Sequence, residues 1–223
     1  MYLCTMYSLS EENYLKAIFH LEGNTPQAVP TNAIAERMET KASSVTDMIK
    51  KLSEKQLLSY VKYKGVSLTN KGQLAAVRVI RKHRLWEVFL VDKLGFEWHE
   101  VHDIAEQLEH IQSEKLIDSL AAFLGNPGVD PHGDPIPDKA GNFKKVQKKL
   151  LADTPIGDQG ICVGVKESND QFLQYLSRNH IGIGSIIRIK SIEEFDGSMH
   201  IEASGNDLFV SNEVANNIYI NTN

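Results

Sequence analysis

Apolar residues in the first 55 positions recur every three or four residues and predict three helices. Ser8 and Glu11 can form a capping box for the first helix, and Thr31 is placed to cap a short second one. A turn at residues 39–41 leads to a third helix over residues 42–55, which is apolar on one side and polar on the other. Short helix, tight turn and amphipathic helix together are typical of a helix-turn-helix.

The next segment, residues 57–69, alternates apolar and polar side chains and turns at Lys64 and Gly65. Alternation around a glycine turn predicts two short antiparallel strands. Lys62 and Lys64 lie near the tip of this hairpin, which makes it a basic wing. We therefore predict a winged helix-turn-helix and assign it to residues 1–72.

Helical spacing returns after the wing and predicts three more helices, over residues 71–94, 98–111 and 113–124. They would form an all-α module within residues 73–142, and apolar surface beyond the needs of its own core favours a homodimer. The last part of this module, residues 125–141, is rich in glycine, proline and aspartate and predicts a loop.

Beyond about residue 153, short runs of alternating apolar residues are separated by glycines, and one helix is expected over residues 170–178. This pattern predicts a small SH3-like β-barrel over residues 153–223, joined to the helical module by a linker over residues 143–152. The predicted fold class is thus mainly α with a C-terminal β part.

Composition narrows the class of protein. Hydrophobic residues make up 42% of the chain and charged residues 24%, which is typical of a globular protein in water. The chain lacks both the ~18-residue apolar run of a membrane-spanning helix and the N-terminal pattern of a secretory signal. Its two cysteines, Cys4 and Cys162, form no CxxC motif. We therefore expect a cytoplasmic protein with no structural disulfide and no membrane partner.

Charge is unevenly distributed along the chain. Residues 36–84 contain twelve Lys/Arg against four Asp/Glu, whereas residues 85–142 contain three against twelve. Five of the eight histidines lie between residues 83 and 132. A basic segment followed by an acidic, histidine-rich one predicts a polyanion-binding module next to a cation-binding one, although ordinary solvated charge would give the same pattern.

The third helix has the side chains that a major-groove helix needs. Small residues near its N-terminus would allow close approach to base edges, and its exposed face is predicted to carry Ser43, Ser44, Thr46 and Lys50. Lysines on the helix and around the wing are expected to neutralise phosphates: Lys51, Lys62, Lys64 and Lys71. The predicted partner is double-stranded DNA, and the alternative is a helical hairpin with an ordinary polar surface.

Potential metal ligands recur at helical spacing after residue 101. At ~100° per residue, four side chains fall on one arc of the predicted helix: His102, Glu106, Glu109 and His110. His83 and Glu87 form a second candidate pair, spaced i, i+4 on the preceding helix. Imidazole and carboxylate ligands suit divalent manganese, iron or zinc. The polar face of an ordinary surface helix is the competing interpretation.

Helical carboxylates and histidines also build metal-storage proteins and di-metal enzymes. Those sites need paired Glu-x-x-His motifs on separate helices, whereas this chain has one Glu-x-x-Glu-His arrangement. The chain contains no Gly-x-Ser-x-Gly, phosphate-loop or His-Glu-x-x-His motif, so an enzyme is not predicted. A metal-binding helical protein that does not bind DNA is the alternative hypothesis.

Several ordered segments resemble the diphtheria-toxin-repressor family of metal-dependent bacterial regulators, and within it the manganese transport regulators that carry a C-terminal barrel. The most specific segments are RKHRLWE at residues 81–87, VHDIAE at 101–106 and PHGDPIP at 131–137. The resemblance implies a homodimer that binds palindromic operators when loaded with metal and represses metal-uptake genes.

The resemblance also implies two sets of metal ligands. The first set corresponds to Asn13, Glu106, Glu109 and His110. The second set corresponds to His83, Glu87 and His102. The Pro-His-Gly loop and the barrel are expected to add further ligands: Asp130, His132, Glu167, Asp170 and Gln171.

Departures from the family pattern bear on the choice of metal. Iron-responsive members typically have methionine and cysteine at the positions of Asn13 and Glu106, and manganese-responsive members have carboxylates at both. Glu106 therefore favours Mn²⁺ over the alternative, Fe²⁺, because manganese prefers oxygen donors to sulfur. Asn13 offers a neutral oxygen, which lowers the charge of the ligand set. Lys16 replaces an acidic residue used by some binuclear manganese sensors, so a close two-metal arrangement is not expected.

Overall fold

The computed structural model describes residues 7–23, 28–61 and 64–222. The chain divides into two compact units. The first unit comprises the chain up to His83 with residues 106–119 and 137–142, and the second comprises residues 84–105, 120–136 and 143–223. The predicted helical module, residues 73–142, is thus divided between the two units.

The first unit begins with the predicted winged helix-turn-helix. Its elements are α1 (Leu9–Glu22), α2 (Thr31–Arg37), α3 (Ala42–Glu54), β1 (Leu58–Val61) and β2 (Gly65–Leu68). The capping box of α1 is confirmed: the Glu11 N–H donates to the Ser8 hydroxyl at 3.3 Å, and the Ser8 N–H donates to the Glu11 carboxylate at 2.8 Å. The cap predicted for α2 is wrong, because Thr31 is already the first helical residue and Pro30 before it offers no side-chain hydrogen bond.

A glycine holds the wing against the rest of the domain. β1 and β2 pair in antiparallel fashion, with Val61 opposite Gly65. Val66 exchanges backbone hydrogen bonds of 2.7 and 3.0 Å with Val29. Gly65 has a φ of 120°, and a Cβ there would lie 1.9 Å from the Val29 carbonyl oxygen, so a side chain cannot be accommodated. The core beneath includes Leu15, Ile34, Leu52 and Leu57.

The central helices are α4 (Asn70–Leu94), α5 (His102–Leu108) and α6 (Glu114–Phe123). α4 and α6 match their predicted spans to within one residue at each end. Among the described residues, no helix combines the length and the apolar character needed to cross a bilayer.

α5 is much shorter than the helix predicted over residues 98–111. Trp98 is buried in the core of the second unit, and the Glu100 carboxylate accepts the Glu97 N–H at 2.9 Å, which forms a turn before the helix. Helical hydrogen bonding therefore starts at Val101. Glu109 and His110 lie beyond the end of α5, so the prediction of four ligands on one helical arc is wrong.

The C-terminal part of the second unit is an antiparallel sheet, which confirms the predicted small β fold. Its strands are β3 (Lys149–Leu150), β4 (Gln159–Val165), β5 (Ile186–Ile192), β6 (Met199–Ala203), β7 (Asn206–Val210) and β8 (Ile218–Asn221), in the spatial order β3-β8-β4-β5-β6-β7. α7 (Asp170–Arg178) has its predicted bounds, and α8 (Asn212–Ala215) precedes β8. β3 starts at Lys149, inside the segment expected to be a linker.

A tight loop lies against β4 in this second unit. Val129 and Pro135 form an isolated β-bridge across the loop, and the Val165 N–H donates to the His132 carbonyl oxygen at 3.0 Å. Gly133, at the tip, has a φ of 85°, and a Cβ there would lie 2.0 Å from the Val163 carbonyl oxygen. The glycine therefore fixes how closely the loop and its potential ligands approach the sheet.

Candidate functional site

α3 presents the polar face that its sequence predicts. Its exposed positions include Ser43, Ser44, Thr46 and Lys50. The Thr46 hydroxyl donates to the Ala42 carbonyl oxygen at 2.9 Å, and the Lys50 ammonium lies 3.7 Å from the Asp47 carboxylate. Small hydroxyl side chains and an exposed lysine thus share the solvent face of one helix, as contact with base edges and phosphates requires.

The basic residues near α3 differ in their surroundings. Lys64 is exposed at the turn of the wing, whereas Lys62 lies outside the described residues. The Lys71 ammonium donates to the Lys55 carbonyl oxygen at 2.9 Å. Lys51 is half-exposed, and its ammonium lies 3.2 Å from the Glu11 carboxylate. Lys51 therefore contacts Glu11 within the domain, in addition to its predicted contact with a DNA phosphate.

Glu11 joins α1 to α3. Its side chain is 1% exposed and accepts a hydrogen bond of 2.5 Å from Lys55 in addition to the contact with Lys51. Burial alone would raise the pKa of Glu11. The hydrogen bonds from Lys55, the Ser8 N–H and Lys51 outweigh burial and lower the pKa to about 2. The ionised carboxylate thus fixes the start of α1 to the last turns of α3.

Side chains from three segments meet around Glu109 in the first unit. His83 Nδ1 on α4 donates to Glu109 Oε2 at 2.6 Å, and Lys16 Nζ on α1 donates to the same oxygen at 2.7 Å. Lys16 Nζ also lies 3.3 Å from His83 Nδ1 and 3.5 Å from Glu106 Oε1. Burial opposes ionisation of Glu109, but His83 and Lys16 outweigh it and lower the pKa of the carboxyl. His83 and Glu109, predicted for different ligand sets, are therefore in direct contact.

Glu12 orients His110 and is a residue that sequence reasoning missed. His110 Nδ1 donates to Glu12 Oε2 at 2.7 Å, and Gln112 Nε2 donates to Glu12 Oε1 at 3.0 Å. The Lys82 ammonium lies 3.4 Å from the same carboxylate. Metal-ligating histidines commonly donate their other ring N–H to a carboxylate, which fixes the orientation of the ring. The sequence signal was available, because Glu12 lies one turn before buried Leu15 on the apolar side of α1.

The first predicted ligand set is partly assembled. His110 Nε2 and Glu109 Oε1 are 3.8 Å apart. The Glu106 side chain is 52% exposed and reaches Lys16. Within the described residues, the ligand atoms of Glu106, Glu109 and His110 do not all lie within 4.8 Å of one another. Asn13 is half-buried on α1 and forms no side-chain hydrogen bond with another described residue.

A more compact cluster lies in the second unit. Glu87 Oε1 is 3.6 Å from His102 Nδ1 and 3.7 Å from His132 Nδ1. The ligand atoms of Glu87, Asp130 and His132 all lie within 4.8 Å of one another, and these three residues are buried. His132 Nε2 donates to the Trp98 carbonyl oxygen at 2.9 Å. The loop residues predicted from the Pro-His-Gly segment thus lie next to Glu87.

The charges of this cluster are strongly coupled. Burial and the nearby charge of Glu87 raise the pKa of Asp130, although Arg84 Nε lies 3.3 Å from its carboxylate. Burial would lower the pKa of His132, but its contact with Glu87 and the charge of Asp130 outweigh burial and raise the pKa to about 9. Two carboxylates this close attract positive charge, which a divalent ion would supply.

The barrel residues predicted as additional ligands are elsewhere on the second unit. Glu167, Asp170 and Gln171 are exposed at and before the start of α7. In the part of the chain that the structure describes, neither Glu167 nor Asp170 belongs to a group of three potential ligands. Their role as ligands stays a prediction.

The donor atoms of both clusters suit a hard or borderline divalent cation. Apart from the amides of Asn13 and Gln171, the potential ligands described above are carboxylates and imidazoles, which is the chemistry that Mn²⁺ and Fe²⁺ accept. Cys162 is buried in the core of the sheet, and burial raises the pKa of its thiol to about 11. A thiolate from this position is therefore not part of either cluster.

A winged helix-turn-helix followed by helices with carboxylate–imidazole clusters and a small β domain defines a recognisable class of protein. Residues 6–66 match the iron dependent repressor N-terminal DNA binding domain, and residues 69–138 match the iron dependent repressor metal binding and dimerisation domain. Residues 149–222 match the FeoA domain. The chain therefore belongs to the diphtheria-toxin-repressor family of iron-dependent repressors, as the sequence segments predict.

Relatives and solved structures agree with this assignment. The chain is 39% identical over 137 residues to the iron-dependent repressor IdeR of Mycobacterium leprae, an alignment that covers 61% of this chain and 54% of that protein. The chain thus spans about half the length of such curated relatives. It is similar to the structure of a manganese-dependent transcriptional repressor in complex with manganese, with 34% identity, coverage of 96% and 100%, and a TM-score of 0.81. The structure of the manganese regulator SloR matches with 36% identity, coverage of 96% and 98%, and a TM-score of 0.70.

Proposed function

We propose that this chain is a cytoplasmic transcriptional repressor of metal-uptake genes that binds a palindromic DNA operator as a homodimer when loaded with Mn²⁺. The observation that carries this proposal is a pair of neighbouring buried glutamates on α1. Glu11 contacts Lys51 on α3 and Lys55 at the C-terminal cap of α3, and Glu12 contacts His110 in the ligand segment. α1 therefore connects a potential metal ligand to the helix expected to enter the major groove.

The residues that would hold the ion fall into two groups. The first group is Asn13, Glu106, Glu109 and His110. The second group is His83, Glu87 and His102, with additional predicted ligands from the Pro-His-Gly loop and the barrel: Asp130, His132, Glu167, Asp170 and Gln171. A divalent ion bound to either group supplies the positive charge that joins ligands from separate segments of the chain.

The protein's own contacts explain how ligand positions would influence DNA binding. Glu12 orients the His110 ring, and the adjacent Glu11 fixes α3, so a shift of α1 relative to His110 also shifts α3. Restricting this motion would favour a dimer whose two α3 helices lie ~34 Å apart, the spacing of successive major grooves. Such couplings are commonly worth ~1–3 kcal/mol.

Manganese is preferred to ferrous iron on ligand chemistry. Glu106 supplies an oxygen where a sulfur ligand would favour a softer ion. Both clusters offer carboxylate and imidazole donors, and Cys162 belongs to neither of them. Fe²⁺ remains the alternative ion, and a comparison of the two metals in the same titration would separate them.

A gel-shift titration tests the proposal. DNA from upstream of a metal-transporter gene should be bound by the full chain with Mn²⁺ and much more weakly without it. Glu106→Ala and His110→Ala should abolish the response to Mn²⁺ while the dimer stays folded, whereas Glu114→Ala, which removes an exposed carboxylate on α6, should leave it unchanged. Metal uptake without DNA binding under any condition would instead support a metal-storage protein.

A further inference from the structure

The ammonium of Lys16 lies among side chains that the proposed function assigns to metal binding. It donates to Glu109 Oε2 at 2.7 Å and lies 3.5 Å from Glu106 Oε1 and 3.3 Å from His83 Nδ1. Its side chain is 14% exposed and Glu109 is 1% exposed, so water screens the contact between them poorly. One lysine thus contacts two proposed carboxylate ligands from a different segment of the chain.

We propose that Lys16 is a built-in competitor that sets how tightly this protein binds its divalent ion. An ammonium and a divalent cation repel each other, and both need the oxygen atoms of Glu106 and Glu109. Binding of the ion to these carboxylates requires the ammonium to leave them. Lys16 therefore raises the metal concentration at which the first unit responds.

The other lysine in this region does not have the same role. The Lys82 ammonium lies 3.4 Å from the Glu12 carboxylate, which supports His110 and is not itself a proposed ligand. Lys82 can therefore stay in place when an ion binds. Lys16, in contrast, donates to the same Glu109 oxygen that accepts from His83. Displacement of Lys16 thus changes the surroundings of two proposed ligands at once.

The geometry gives the displaced ammonium a route to solvent. Glu106, the more distant of its two carboxylate partners, is 52% exposed. A lysine has a flexible four-carbon stem and a strongly hydrated charge, so its end can move to water while the stem stays packed.

This inference rests on the proposed function, because it assumes that Glu106 and Glu109 bind metal. The test is calorimetry of Mn²⁺ binding to the full chain and to Lys16→Gln, which removes the charge. We expect Lys16→Gln to bind Mn²⁺ at least about 10-fold more tightly, or about 1.4 kcal/mol. Lys16→Arg keeps the charge and should stay near the wild type. Lys115→Gln removes an exposed charge on α6 and should have no effect.

The outcomes separate the two proposals. If the wild type binds Mn²⁺ and Lys16→Gln binds it equally or more weakly, Lys16 is not a competitor and the proposed function stands. If the wild type takes up no divalent ion, both proposals are wrong.

A measurement on the wild type keeps the inference testable even if Lys16→Gln does not fold. Mn²⁺ should increase the rate at which an amine-reactive ester labels Lys16 several-fold, as read by mass spectrometry, while labelling of Lys82 should not change. A Lys16 labelling rate that is the same with and without Mn²⁺ would contradict displacement.

Discussion

The two ligand clusters balance their buried carboxylates in different ways. In the first unit, Glu109 accepts a hydrogen bond from the Lys16 ammonium at 2.7 Å. In the second unit, Glu87 and Asp130 lie close to the His132 ring, which is itself fixed by a hydrogen bond to a backbone carbonyl. Glu109 is thus shared between the His83 ring and the end of a flexible lysine side chain. Glu87 and Asp130 lie beside a ring on a tightly bound loop, and Asp130 also lies 3.3 Å from Arg84 Nε.

This difference predicts different behaviour towards a cation. The lysine end can move to solvent and return, so the first cluster is suited to reversible exchange of positive charge. The second cluster has its geometry set by the backbone of the loop, because Gly133 allows the close approach to β4. Under the proposed function, the first cluster is therefore suited to sensing the ion, and the second to holding a fixed arrangement of ligands.

The largest effect is expected from breaking the backbone support of the second cluster. Gly133→Ala would place a Cβ 2.0 Å from the Val163 carbonyl oxygen at a φ of 85°. We expect the free energy of unfolding to fall by ~3 kcal/mol, because the loop must either move or adopt a strained conformation. Urea denaturation followed by circular dichroism measures this loss.

The same loop region offers a matched control. Gly128→Ala has no atom within 4 Å of the added Cβ, so its effect should be small. If Gly128→Ala and Gly133→Ala lowered the free energy of unfolding equally, the close approach of the loop to β4 would not be what supports the cluster.

A smaller loss is expected from removing a carboxylate charge in the first unit. Glu11→Gln keeps the shape needed for the capping box but removes the ion pairs with Lys51 and Lys55. We expect the free energy of unfolding to fall by ~2 kcal/mol at neutral pH, because the side chain is buried and both lysines donate to it. Chemical denaturation at several pH values measures the loss.

The pH dependence of this loss follows from the pKa of Glu11, which folding lowers from its ordinary value of 4.5 to about 2. The stabilisation is fully present above pH 4.5 and disappears as the pH falls towards 2. The wild type and Glu11→Gln should therefore converge in acid. Asp47→Asn removes the carboxylate of an exposed pair with Lys50 and should change stability little at any pH. A difference between the wild type and Glu11→Gln that persists undiminished at pH 2 would disprove the role of the charge.

The smallest effect is expected at the solvent face of α3. Lys50 is 69% exposed, so Lys50→Gln should leave stability unchanged and weaken DNA binding a few-fold. The slope of log affinity against log salt should fall by ~1 if Lys50 contacts one phosphate. Lys51→Gln should reduce both DNA binding and stability, because Lys51 also contacts Glu11. Filter binding across a salt series compares the two, and an unchanged slope in both variants would argue against phosphate contacts from α3.

The features predicted well from the sequence are those set by neighbouring residues. The winged helix-turn-helix, α4 and α7 follow from local periodicity, caps and glycine turns, and their bounds agree closely with expectation. The bounds of α5 do not agree with expectation, because Trp98 packs into the core of the second unit and the helix starts after it. Local periodicity cannot register such a long-range contact.

The site shows the same limit. The contacts of Lys16 with Glu109 and of Glu12 with His110 join residues 93 and 98 positions apart. Spacing along a helix identified Glu109 and His110 as candidates, but it placed them on a longer α5. It also gave no reason to connect Lys16 with His83, which lie 67 positions apart.

The position of Trp98 gives this protein an internal optical label. Its indole stacks on the His132 imidazole, with ring centroids 6.1 Å apart and an angle of 16° between the planes, and its Nε1–H donates to the Ser177 hydroxyl at 2.8 Å. Indole emission responds to an adjacent cationic ring or paramagnetic centre. The fluorescence of Trp98 should therefore change when His132 changes its charge or when a paramagnetic ion binds at the second cluster, without any added dye.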